Sequence, residues 1–490
     1  MNFVSIDLGT TNIKVCCYDA ELNVLASVSE SVVYERCGDF VEFDAEQYYQ
    51  MVSKLISQCC INAGYKSPFP VTQIILTGQA ESLVTLGKDL KPVRKAISWL
   101  DMRSREECEE LKTVFPSEKC YPITGQPEII PTWPITKILW LRHNEPDVFA
   151  NIKKYLLLKD FIIYRLTGQF AGEYSIYNFS HYFDIVHQKY WDEILAYVGV
   201  TKEQLPPLVE PRTVVGSISG ETAALIGLEP CTKVNVGALD HFCGMIGTGN
   251  ISSGMISESA GTVLSIATMV SSPDFQASRI PVHYGPFKDK FVYLPVCESG
   301  GISLEWFKNT FAADTNYREI DQKVADRQID DHLIFLPYIA GTNAPEFNSD
   351  AKGVFYGITA AHDKYDFALS VMEGVAHLLT KNIRFISKTQ PISDTIISTG
   401  GGARSEIWCQ LKADVTGKTV AIPVIDETCC LGAAIIGAVD EKVFPDFDAA
   451  IASCVKIKKK FIPRRNIKLE KKQKLFEELY QTLEPYFKNN

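Results

Sequence analysis

At 490 residues the chain is too long for one compact core, so two or three domains are expected. Its 46% apolar and 22% charged residues fit a globular protein, and a net charge of −10 argues against a general nucleic-acid or anionic-membrane binder. Fourteen Cys with no regular spacing and eight scattered His argue for a reducing cytoplasm and against structural zinc.

The opening residues read as a strand with no basic start and no cleavage-like site, so no signal peptide is expected. No apolar run approaches the roughly 20 residues of a membrane helix. Val4 to Val15 is the most informative stretch. Strands over Phe3–Asp7 and Asn12–Tyr18 flank a turn of Gly9, Thr10 and Thr11. Such a turn can present amides and hydroxyls to a phosphate, and Asp7 can hold a hydrated Mg²⁺ beside it. Alone, the same residues also suit an ordinary hairpin.

A third strand is expected over Val24–Tyr34, and helical periodicity runs from Asp44 to Ala63. Short strands follow at Ile74–Leu76, ending at Gln79, and at Ala96–Leu100, ending at Asp101. Helices are expected over Arg103 to Val114 and Tyr155 to Leu166. Lys233–Val236 is a strand that leads to Asp240.

A weak internal repeat comes next. Ser259-Ala260-Gly261-Thr262 corresponds to Asp7-Leu8-Gly9-Thr10, again between two apolar β-like runs. Two copies of a phosphate-facing hairpin resemble the arrangement of actin-like ATPase folds, with the boundary near Asp240 to Gly249. The rest alternates helix (Asp366 to Ser387, Glu406 to Thr416, Leu431 to Val439) and strand (Thr395–Ser398, Thr419–Ile422). Gly400, Gly401 and Gly402 end a strand and open a helix, where amides can face a phosphate or ribose. Ser405 suits either a nucleotide contact or a helix cap. The basic stretch Lys456 to Lys474 reads as a solvated strand and helix face.

Gly353-Val354-Phe355-Tyr356-Gly357-Ile358, followed after seven residues by Asp366 to Glu373, resembles a signature of the FGGY carbohydrate kinases. Lys137 to Leu141, Lys159-Asp160-Phe161 with Arg165 to Gly168, and Leu205 to Leu208 look most like the xylulokinase branch. The resemblance covers nearly the whole chain. It implies an α/β protein of two actin-like (ribonuclease H-like) domains, residues 1–242 and 243–490, with an interdomain catalytic cleft. It also implies ATP-dependent phosphorylation of a small sugar or polyol with Mg²⁺, and leaves a homodimer open.

On that resemblance Asp240 is the general base, although an Asp there could instead cap the following helix. Asp7 takes the metal. Gly9, Thr10, Thr11, Gly261, Thr262, Gly400, Gly401, Gly402 and Ser405 take ATP. Gln79, Glu81, Trp99, Asp101 and Arg103 are the acceptor candidates, with a structural Asp101–Arg103 ion pair as the alternative. Ala80-Glu81 stands where xylulokinases carry Met-His, and Gly341 to Pro345 lacks their Glu-Arg-Thr. The reaction class survives these departures; the choice of ketose, polyol or sugar acid stays open, as does an actin-like ATPase or sensor.

Overall fold

The computed structural model describes residues 1–275, 279–424 and 427–487. The chain divides into two compact α/β units that are discontinuous in sequence. The first holds Met1–Gly249, Val282–Phe291 and Glu427–Val455; the second holds Asn250–Pro281, Val292–Asp426 and Lys456–Asn490.

The first unit is built on a six-stranded sheet in the order Val214–Ser217, Lys233–Asn235, Gln73–Gly78, Phe3–Leu8, Asn12–Tyr18, Val24–Ser31. The three middle strands run parallel, and the flanking ones antiparallel. Side chains alternate across a strand. Val4, Ile6 and Leu8 therefore enter one core with Tyr48, Tyr49, Val52 and Ile56 of the helix Ala45–Asn62. Asp44 caps that helix by accepting from the amides of Glu46 and Gln47 at 2.8 and 3.0 Å. On the other face Phe3, Gln73 and Ile75 lie against Gly437 of the helix Thr428–Asp440. This helix starts three residues before the expected Leu431 and belongs to the first unit. It crosses the helix Asp240–Gly247 at close quarters: a Cβ on Gly432 would fall 1.8 Å from the Cys243 carbonyl oxygen.

Tyr155 to Leu166 is not one helix. Lys154–Leu157 is a strand paired antiparallel to Leu83–Leu86, and the helix runs Leu158–Thr167. The reason is local: Tyr155, Leu156 and Leu157 are all buried, and the Leu157 amide donates to the Asp160 carboxylate at 2.9 Å, which starts the helix afresh.

The second unit repeats the plan. Five strands of its eight-stranded sheet run in the order Ile457–Phe461, Thr419–Pro423, Thr395–Thr399, Ile256–Ala260, Leu264–Val270. The pairing senses are antiparallel, parallel, parallel, antiparallel, as in the first five strands of the first sheet. The repeat legible in sequence is thus a repeat of topology. The basic stretch is an edge strand followed by the helix Ile467–Phe487, and several of its cations are paired: Lys459 with Glu406 at 2.6 Å, Arg464 with Asp414 at 2.8 Å, and Lys472 with Glu373. Among the described residues no helix is long and apolar enough to cross a membrane.

Candidate active site

The first hairpin turns where the sequence predicts. A Cβ on Gly9 would lie 2.4 Å from the Asn12 carbonyl oxygen, so only glycine fits this turn. The turn is held from outside. Tyr48 Oη and Gln79 Nε2 each donate to the Gly9 carbonyl at 3.3 Å, and Tyr34 Oη donates to the Thr10 carbonyl at 3.0 Å. Trp99 Nε1 donates to Thr10 Oγ1 at 2.8 Å. Thr11 follows on the exposed side and receives the Val32 amide on its carbonyl at 2.9 Å.

Asp7 sits at the end of the first strand. Its Oδ1 is buried with no hydrogen-bond partner. Burial, and then the nearby charge of Asp240, push its carboxyl up to about 7, against the pull of Lys14. Lys14 in turn is engaged by Glu427. An orphaned carboxylate oxygen beside a second carboxylate fits a divalent cation that keeps most of its ligands as water and phosphate. No cluster of three or more metal-ligating side chains occurs among the described residues.

Asp240 is the first residue of the helix Asp240–Gly247, and among the described residues its Oδ1 accepts only the adjacent His241 amide, at 2.6 Å. It therefore does not cap the later amides of the first turn. Glu81 has φ of +70°, uncommon for a residue with a Cβ. Burial raises its carboxyl to about 8, Lys137 opposes this and Asp240 adds to it. Asp7 and Glu81 thus each feel the charge of Asp240.

Among the acceptor candidates, Gln79 and Trp99 are tied to the turn, and Ser82 links them: its Oγ donates to Gln79 Oε1 at 2.8 Å and accepts from the Trp99 amide at 3.2 Å. Asp101 and Arg103 take the structural alternative. Asp101 is 0% exposed and accepts from the Val41 amide at 2.6 Å and from Arg103 Nε and Nη2 at 2.9 and 2.7 Å. Arg103 also reaches Glu42 at 2.7 Å and lies 4.1 Å from the Phe40 ring centroid.

In the second unit the two glycine segments come together. Gly400 has φ of +75°, and a Cβ there would meet Ser259 Oγ at 2.9 Å; one on Gly402 would meet Ala260 Cβ at 2.7 Å. Gly401 follows at the start of a short 3₁₀ turn. The Gly261 and Thr262 carbonyls accept from the Gly301 and Ile302 amides at 2.6 and 3.1 Å, which ties the second hairpin to a helix start. Ser405 caps the helix Glu406–Thr416 by accepting from the Trp408 amide at 3.1 Å, and donates to Asp321 at 2.8 Å.

Lys137, in the family-like segment Lys137 to Leu141, is buried beside Glu81. Its ammonium donates to the carbonyls of Ser98 and Thr132 at 2.8 and 2.7 Å, and burial lowers it to about 8, with Glu81 and Asp101 pulling the other way. A lone Lys inside the apolar run Ile135 to Leu141 was the available signal.

Residues 2–247 match the N-terminal domain of the FGGY family of carbohydrate kinases, and residues 258–441 match its C-terminal domain. The xylulose kinase of Bacillus subtilis (strain 168) is 28% identical over 491 residues, spanning 99% of this chain and 97% of its own. The gluconokinase of Bacillus licheniformis is 28% identical over 460 residues, spanning 91% and 88%. The crystal structure of ligand-bound xylulose kinase from Lactobacillus acidophilus matches with a TM-score of 0.90 at 25% identity, over 98% of both chains.

Proposed function

The chain belongs to the FGGY family of carbohydrate kinases, ATP-dependent sugar phosphotransferases, and we propose that its acceptor is a small neutral polyhydroxyl compound, a ketose such as xylulose or a polyol, activated by Asp240. The observation that carries this reading is the grouping of Asp240 with Asp7 and Glu81, whose carboxyls it pushes upward. A carboxylate acceptor would enter beside Asp240, and the Arg103 guanidinium is already engaged elsewhere. Arg103 is taken by Asp101 and Glu42, and Lys137 gives two of its three N–H donors to carbonyls while its charge acts on Glu81. Below about pH 8 Glu81 holds its proton, and a neutral carboxyl can both donate to and accept from a hydroxyl.

In the proposed reaction the acceptor oxygen attacks the γ-phosphorus, the bond to the ADP oxygen breaks, and the acceptor proton passes to Asp240. Asp7 is the proposed ligand of Mg²⁺, which when bound neutralises phosphate charge. Gly9, Thr10 and Thr11 are assigned to the β- and γ-phosphates. Gly261, Thr262 and Gly400 to Gly402 are assigned to the nucleotide; Ser405 is already engaged as a cap and supports them. Gln79, Glu81 and Trp99 are assigned to the acceptor. A reducing cytoplasm is the proposed compartment, in keeping with fourteen unpaired cysteines.

The test is ADP release with Mg-ATP against D-xylulose, D-ribulose, linear polyols and D-gluconate. Strong stimulation by a neutral compound is expected. Turnover with D-gluconate alone would make this a sugar-acid kinase, and turnover independent of every acceptor would favour an ATPase.

A further inference from the structure

Lys159 stands out among the residues the reaction does not use. It is a charged side chain with 0% exposure on the helix Leu158–Thr167, paired at 2.7 Å with Glu173, which is also 0% exposed. Burying two charges is costly unless hydrogen bonds complete the pair. Here they do: Glu173 accepts from the Ser175 amide at 2.7 Å and the Ile176 amide at 3.1 Å, and the Ser175 hydroxyl oxygen lies 2.8 Å from both carboxylate oxygens. A hydroxyl has one proton, and the carboxylate claims it. The Ser175 lone pairs are thereby turned the other way, and one accepts the Leu239 amide at 2.9 Å.

Leu239 is the last residue before the helix that begins with Asp240. Its amide precedes the helix and has no partner within it. An uncharged serine alone could satisfy that amide. Lys159 and Glu173 add a single fixed hydroxyl orientation, which a freely rotating serine lacks.

We infer that Lys159, Glu173 and Ser175 form a buried relay that fixes the backbone from which Asp240 projects, making Ser175 a positioning residue for the base. This rests on the reading of Asp240 as base. The acceptor oxygen and the base must meet within hydrogen-bond reach, and a displacement near 1 Å can cost on the order of 10² in rate.

The experiment is a double-mutant cycle of Ser175→Ala and Asp240→Asn in the full chain. Turnover is measured with Mg-ATP and D-xylulose, or with whichever neutral polyol drives most ADP release in the unaltered protein. Ser175→Ala should lower kcat about tenfold, within the range that misplacement produces, with both KM values kept within about twofold. In the Asp240→Asn background the same change should cost less than about twofold, because the group it positions is gone. If Ser175→Ala does not fold, Ser175→Cys keeps the shape with a weak acceptor and should show a smaller loss of the same kind. An equal loss in both backgrounds, or a lowered melting temperature with unchanged kcat, would make the relay purely structural and overturn the inference. Near-normal turnover of Asp240→Asn alone would instead overturn the base reading and the relay with it. A potent Asp240→Asn effect beside an inert Ser175→Ala would remove only the relay.

Discussion

Trp99 Nε1 donates to Thr10 Oγ1 at 2.8 Å, so the indole expected to face the acceptor holds the hydroxyl of the Gly9–Thr11 turn. The bond fixes which way the Thr10 lone pairs point. Thr10→Val and Trp99→Phe should each lower kcat/KM for ATP by about three- to tenfold, the worth of roughly one hydrogen bond. Combined, they should cost little more than the worse single change, a coupling near 1 kcal/mol. Steady-state kinetics on the four proteins checks this, and multiplicative losses would mean the two side chains act separately.

The hairpins, the glycine segments and the helix Glu406–Thr416 were legible because each rests on local chemistry: strand alternation, a turn only glycine can make, a cap and a left-handed stop at Gly417. The strand Lys154–Leu157 was not, because Tyr-Leu-Leu-Leu suits a buried strand or helix equally until its partner Leu83–Leu86 is known. The same limit hid the pairing of Lys14 with Glu427, 413 residues apart, and the place of the helix Thr428–Asp440 in the first unit. Asp101 and Arg103 read equally as acceptor ligands or ion pair, and their buried pairing is visible only in the tertiary structure. Ser405 resolves likewise, through its bonds to Trp408 and Asp321.

Asp240 takes only the His241 amide, so its removal leaves the helix start almost unchanged. Asp240→Asn should therefore lower kcat by about 10² to 10⁴, the usual range for a lost general base, with a melting temperature close to that of the unaltered protein. Thermal unfolding alongside ADP release separates the two effects. Loss of activity together with loss of fold would point to a structural role instead.

As the proposed Mg²⁺ ligand, Asp7 should link metal binding to pH. Its folded pKa, raised from 3.8 to about 7, means that the folded protein keeps a proton the unfolded chain has lost. That contribution to stability is fully present below about pH 4 and disappears as pH rises through 7 in the absence of cation. Mg²⁺ needs the ionised form, so Mg²⁺ should compete with the proton. The rise in melting temperature on adding Mg-ATP should be small at pH 5.5 and larger at pH 8. Asp7→Asn should abolish most of that difference; an unchanged pH dependence would place the metal elsewhere.

Beneath the second glycine turn, Glu258 and Lys412 form an ion pair with both side chains 0% exposed, and Lys412 also donates to Ser398 at 2.8 Å. Removing one partner leaves the other charge buried and alone. Lys412→Ala should destabilise by about 3–5 kcal/mol, whereas Glu258→Gln with Lys412→Met, which removes both charges, should recover a good part of it. Denaturant unfolding followed by a probe in the second unit reads this. A single change as mild as the double one would mean that water reaches the pair.

Glu81 gives the acceptor preference its own pH signature. Its carboxyl, raised to about 8 by burial with Asp240 adding, is protonated at neutral pH and ionised above 8. A neutral sugar loses one hydrogen-bond donor when Glu81 ionises, whereas an aldonate also gains a facing negative charge. The KM for D-gluconate should therefore climb more steeply between pH 7 and 9 than the KM for a neutral ketose or polyol. Glu81→Gln removes the titration and should flatten the D-gluconate profile, improving D-gluconate relative to the neutral acceptor on the order of tenfold at pH 9. Parallel KM profiles for charged and neutral acceptors in the unaltered protein would place Glu81 outside contact with the acceptor. The choice among substrates would then rest with Gln79 and Trp99.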